Sequence, residues 1–228
     1  MNKVLLLAAA AVALSAGGLA DATENHPTLV GRGKPHHFAH NPTDRSLTVL
    51  YDQNSNDSGL GVVSQNFESS FDTFDNQDAD DFTVPDGTTW KVSEVDVTGL
   101  YFDGHGPADS ENVFFYHSKN GFPKKLVAEL DNLAGKDDGL GSFVIKLPKA
   151  VKLKSGTYEI SVQANMNFNA GGEWGWENTS TQTGTPAKFQ NPGDGLGTGC
   201  IKWKIESSCI MEGEGPDHMF TLKGKATN

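Results

Sequence analysis

The sequence predicts an all-β fold, an antiparallel β-sandwich of jelly-roll type with about ten strands. Three observations carry this. In the stretch 156–178, Tyr158, Ile160, Val162 and Ala164 point one way while Glu159, Ser161 and Gln163 point the other, the alternation of a half-buried strand. No segment carries an apolar stripe of helical period over three turns. The 26 glycines fall between short apolar runs, as turn punctuation does.

Taken in order, residues 1–22 read as a secretory signal peptide. Lys3 supplies the positive end, residues 4–14 the apolar run, and Ala20-Asp21-Ala22 a small-x-small cleavage pattern. The run is shorter than the roughly twenty apolar residues of a membrane span, so no span is expected. Residues 23–45, broken by Pro27, Pro35 and Pro42, read as a flexible N-terminal arm. Its histidines His26, His36, His37 and His40 form a tract that can bind a transition metal. No acidic or cysteine ligands stand at fixed spacing around them, and adventitious binding is the expectation.

Residues 46–228 are expected to form the sandwich. Leu47, Val49 and Tyr51 alternate in a first strand, and residues 60–64 follow as a second. A short strand at 81–84 should stop at the turn Pro85-Asp86-Gly87. Between 90 and 102, Trp90 and Val92 share one parity and Val95, Val97 and Tyr101 the other, which predicts a β-bulge near Ser93-Glu94. Strands at 112–116, 125–130, 142–147, 158–164, 174–177, 201–205 and 219–222 complete the set.

Cys200 and Cys209 are an even pair in a chain read as exported, and a disulfide closing the short loop between them is expected. The formal charge of −11 argues against nucleic acid and anionic lipid as partners, because basic patches supply affinity for both.

Several phrases in sequence order carry a resemblance: Asp78-Ala-Asp-Asp-Phe-Thr-Val-Pro85, Gly87-Thr-Thr-Trp90-Lys-Val92, Gly99-Leu-Tyr101, Val113-Phe-Phe-Tyr116, Gly121-Phe-Pro123, Leu153-x-x-Gly156-Thr-Tyr158, Trp174-Gly-Trp176 and Phe220-Thr-Leu-Lys-Gly224. Together they resemble exported bacterial jelly-roll or galactose-binding-like β-sandwich domains, over residues 47–225. The resemblance implies architecture and export. It carries over no catalytic residue.

Two constellations could carry chemistry. Asp72, Asp75, Asp78, Asp80 and Asp81 form the densest acidic run, and calcium takes six to eight oxygen ligands of this kind. A structural Ca²⁺ joining this loop to the next, with Asp103 and Asp109 as helpers, is one reading; a solvated turn is the other. The spacing is not that of an EF-hand. The second constellation is Glu173-Trp174-Gly175-Trp176-Glu177 with Asn178. On a strand both indoles leave one face about 7 Å apart. Exposed, they would stack on sugar rings while Glu173, Glu177 and Asn178 bond hydroxyls. Buried, they fill the core, and burial of at least one is expected. Trp203 is a further platform with the same alternatives.

No nucleophile elbow, HEXXH or phosphate loop is present, and a convergent carboxylate pair for glycoside hydrolysis has no sequence signature. The expected function is therefore a secreted, extracellular or periplasmic, non-catalytic binding module. Its partner would be a polysaccharide or a cell-surface protein. A structural or adhesive envelope protein and a hydrolase with an unrecognised carboxylate pair are the rival readings.

Overall fold

Alternation in the sequence becomes two facing β-sheets in the computed structural model, which describes residues 26–35, 46–210 and 215–228. The expected signal peptide and His36, His37 and His40 lie outside the described residues. The chain enters as β1 (Val30–Arg32), β2 (Thr48–Asp52), β3 (Asp57–Val63) and β4 (Gln65–Asn66). After a 3-10 turn at Ser69–Phe74 come β5 (Gln77–Val97), β6 (Gly99–Phe102), β7 (Ser110–Ser118), β8 (Pro123–Leu133), β9 (Lys136–Asp137) and β10 (Phe143–Asn165). A helical turn, α1 (Phe168–Gly171), leads to β11 (Glu173–Thr179), β12 (Lys188–Gln190), β13 (Lys204–Ile205), β14 (Asp217–His218) and β15 (Phe220–Thr227).

The smaller sheet runs β1-β3-β11-β14, with β6 also paired to β11. The larger runs β13-β12-β5-β10-β7-β8, with β15 paired to both β2 and β5. Every pairing is antiparallel except β4 with β10. The main core lies between the sheets. It joins Phe82, Val95, Phe115, Ile145, Leu153, Ile160 and Phe220 of the large sheet to Trp174 and Trp176 of the small one.

The turn expected at Pro85-Asp86-Gly87 does not end its strand. Pro85-Asp86-Gly87 bulges out of β5: Val84 pairs with Gly156, and the ladder resumes at Thr89 opposite Lys154. Gly87 takes the left-handed φ of +75° that lets the bulge close. In β10, Lys146 pairs with Glu94 and Val151 with Val92, so residues 147–150 bulge in the same way. The strand expected at 81–84 is thus continuous with the first part of the one expected at 90–102, whose last part is β6, and the strands expected at 142–147 and 158–164 are one. The bulge expected near Ser93 is present, because Lys223 faces Glu94 while Gly224 faces Val92. It lets Trp90, Val92, Val95 and Val97 all reach the core despite their opposite parities.

Part of the expected arm is sheet. Val30, Gly31 and Arg32 pair with Val62, Gly61 and Leu60. Gly31 masked this strand from hydrophobic pattern reading, and a Cβ there would sit 2.3 Å from the Phe102 ring.

The chain changes sheets at two adjacent points. β5 of the large sheet ends at Val97 and β6 of the small sheet begins at Gly99; β14 of the small sheet ends at His218 and β15 of the large one begins at Phe220. The residues between are clasped together: the Thr98 N–H donates to Met219 O at 3.2 Å and the Glu177 N–H to Thr98 O at 3.0 Å.

Candidate functional site

β11 carries most of the residues singled out for ligand binding, and its whole length is buried. Trp174 and Trp176 are both 0% exposed, so neither presents a ring to a sugar. Their indole N–H groups donate to Gly141 O at 2.7 Å and Met219 O at 2.9 Å, which satisfies the polar edge that burial would otherwise orphan. Glu173 and Glu177 are also buried. Glu173 accepts the Thr28 N–H through both oxygens, at 2.9 and 3.0 Å, so it fastens the segment before β1 rather than meeting a ligand. Burial pushes its carboxyl up to about 9. Burial, with Asp57 and Asp138 adding to it, takes Glu177 up to about 8. The sugar-binding arrangement expected on this strand is therefore replaced by core packing.

The five aspartates expected to share a calcium ion are spread over the 3-10 turn, its end and both faces of β5. Asp72 is exposed in the 3-10 turn, and Asp75 accepts the Phe67 N–H at 2.8 Å. Asp78 and Asp80 point into the sandwich. Asp80 accepts Gln53 Nε2 and the His218 N–H, both at 2.7 Å. Asp81, one residue on, faces the opposite way and accepts the N–H and hydroxyl of Thr185 at 2.6 and 2.8 Å. The helpers Asp103 and Asp109 are exposed. A period of two cannot bring neighbouring carboxylates to one ion.

What the interior does assemble, among the described residues, is Asp78, Glu206 and His218, with a ligand atom of each within 4.8 Å of the others. His218 Nε2 lies 2.9 Å from Glu206 Oε2 and 3.9 Å from Asp78 Oδ2. The 2.9 Å approach lacks hydrogen-bond alignment: neither of its two atoms has a hydrogen-bond partner among the described residues. Burial holds the Asp78 carboxyl well above the usual carboxylate range, and Glu206 adds to this. Sequence reading selected Asp78 but missed Glu206 and His218, which lie far along the chain and share no local spacing with it.

On the surface, Trp203 of the disulfide loop stands over an open groove of about 550 Å³ lined by Lys119, Asn120, Phe122, Lys124, Gln190 and Lys202. The expected disulfide is formed, with Cys200 and Cys209 Cα atoms 6.0 Å apart. The loop it closes carries Lys202 and Trp203 outward and Glu206 inward. Trp203 is half-buried, edge-on to Tyr116 at 6.2 Å between ring centres. The turn from β7 to β8 supplies the facing wall, where Asn120 and Gly121 take the left-handed φ values of 56° and 72° that a tight hairpin demands. Among the described residues, neither a carboxylate nor a histidine lines the groove. A second groove beside Lys91, Lys146 and Lys225 has no aromatic lining. No described helix is long and apolar enough to cross a membrane. Comparison with protein-family models, with curated proteins and with solved structures finds no match to the chain.

Proposed function

We propose that this protein is an exported, non-catalytic binding module that takes acidic polysaccharide in the Trp203 groove. The observation that carries the reading is the groove's composition: two aromatic rings, three exposed ammonium groups and two carboxamides, with no carboxylate among the described lining residues, on a chain of net charge −11. A sugar ring stacks its C–H face on an indole, and carboxamides bond hydroxyls. Lysines concentrated in one groove attract uronate groups and steer a polyanion to it, against the field of an acidic chain. Cleavage of a glycoside uses a pair of carboxylates, and none stands among the groove's described lining residues, so binding rather than turnover fits it. The disulfide and the signal-like leader support export, and the resemblance to exported sandwich domains agrees with it.

The test is affinity electrophoresis of the folded protein through polygalacturonate, alginate and a neutral glucan. Retardation by the two polyanions that weakens with added salt and is lost in Trp203→Ala and in Lys119→Ala/Lys202→Ala is the expected result. Near-UV circular dichroism checks that the variants fold. Equal mobility in all three gels, or retardation that survives both variants, overturns the reading and favours a protein-binding envelope component.

A further inference from the structure

We propose that Asp78, Glu206 and His218 bind one divalent transition-metal ion, with zinc the best match, as a structural clasp between the two sheets. The three residues reach one point from three parts of the fold. Asp78 comes from β5 in the large sheet, His218 from β14 in the small sheet, and Glu206 from the disulfide-closed loop. Nothing local in the sequence would gather them. The placement follows from the change of sheet at Met219 and from the Glu206 N–H, which donates to Ala187 O at 2.9 Å and aims the side chain inward.

The state of the donor atoms points to a cation. Asp78 is 0% exposed and neither of its oxygens has a hydrogen-bond partner among the described residues; the same holds for Glu206 Oε2 and His218 Nε2. Buried carboxylates are ordinarily saturated with hydrogen bonds, because burying a bare one is among the costliest steps in folding. Here several donor atoms converge and stay unsatisfied together. A proton on His218 Nε2 would serve the 2.9 Å contact with Glu206, but it leaves both oxygens of buried Asp78 without a donor. A divalent ion meets all three groups at once.

The next layer is also that of a metal centre. Asn178 Nδ2 donates to Glu206 Oε1 at 3.1 Å and so orients one of the three ligands. The Trp176 ring stacks on the imidazole at 4.6 Å between centres and 14° between planes, which fixes its plane.

An imidazole among the ligands selects against calcium and magnesium, which take oxygen, and in favour of zinc and its neighbours. Zinc holds nitrogen and carboxylate oxygen at about 2.0–2.2 Å, so the edges of its tetrahedron are roughly 3.3–3.6 Å. The separations of 2.9 and 3.9 Å bracket that range. The three residues fill three corners of that tetrahedron and leave the fourth for a water. Every ligand is buried, so the clasp is structural.

The test uses the full exported chain, purified oxidised. Metal content is measured by mass spectrometry before and after EDTA, and the stripped protein is titrated with Zn²⁺, Co²⁺ and Ca²⁺. One tightly held zinc per chain, a visible d–d band of four-coordinate Co²⁺ and a higher melting temperature on adding either ion are expected. Asn178→Ala, which leaves the ligands in place, should weaken zinc binding about 10–100-fold. Because His26, His36, His37 and His40 could hold a stray ion, the quadruple alanine variant is run beside His218→Gln. Metal kept by the first and lost by the second supports the clasp; the reverse overturns it. A folded wild-type chain that takes up no stoichiometric Zn²⁺ or Co²⁺, or that takes up Ca²⁺ alone, also overturns it.

Discussion

Lys223 is fully buried, yet its ammonium lies between two carboxylates, donating to Glu94 Oε1 at 3.0 Å and to Asp96 Oδ2. Burial alone would lower its pKa, and the two carboxylates raise it above the usual lysine value. Lys223→Met takes the cation away and keeps the volume, so the chain should lose about 3–5 kcal/mol in urea unfolding. Gly99 carries a different constraint: a Cβ there would sit 2.4 Å from Trp174 Nε1 and 2.8 Å from Gly141 O. Gly99→Ala should therefore cost about 1–3 kcal/mol and disturb the near-UV signal of the indole. Trp176→Ala, a deletion from a closed core, should cost about 3–5 kcal/mol, whereas half-exposed Trp203→Ala should leave the unfolding midpoint nearly unmoved. Alternation put Trp174 and Trp176 on one face, and this was legible in the sequence. Which face was not, because a strand of a sandwich shows the same period whether its aromatic side looks in or out.

At the scale of elements, periodicity located the long strands but not the short β1, β4, β9, β12 and β14, and the parity change at Ser93 located a bulge that the ladders contain. It failed where a turn motif meets a strand that is already held on both sides. Pro85-Asp86-Gly87 has the chemistry of a hairpin turn, but β10 spans the gap and pairs on either side of it, so the chain bulges and continues. The candidate site was less legible for a related reason. Five aspartates close in sequence looked like one site, yet alternation sends Asp80 and Asp81 to opposite faces, while Asp78 meets residues from β14 and the disulfide loop. That loop presents Trp203 on one side and Glu206 on the other. Replacing Cys200 and Cys209 by serine frees a short loop and should cost about 2–3 kcal/mol in the chain-entropy view, read as a lower urea midpoint than wild type.

For the molecule as a whole, the buried carboxylates set a direction for its pH dependence. Burial, chief among the causes at each, takes Glu111 and Glu159 up to about 7, Glu177 to about 8 and Glu173 to about 9, against an ordinary 4.5. In each case the folded state keeps a proton that the unfolded chain has released. Stability is thus greatest below the unfolded value and is lost as pH rises through the folded ones. Self-repulsion in a chain of net charge −11 grows in the same direction. Urea midpoints measured from about pH 5 to about pH 9 should fall steadily, and a midpoint that climbs over this window would contradict the assignment.

The position of β15 has a consequence for how the chain reaches this state. The strand lies between β2 and β5 and supplies ladder partners to both. Its Lys223 meets Glu94 across 129 residues of sequence. Until this last strand arrives, β2 has no seat in the sheet and β5 carries an open edge, so the large sheet cannot close progressively from its N-terminal side. Contacts this distant make folding slow and late. A chain emerging N-terminus first would stay uncommitted to its fold until this strand is made, and a chain cut before Phe220 would remain so.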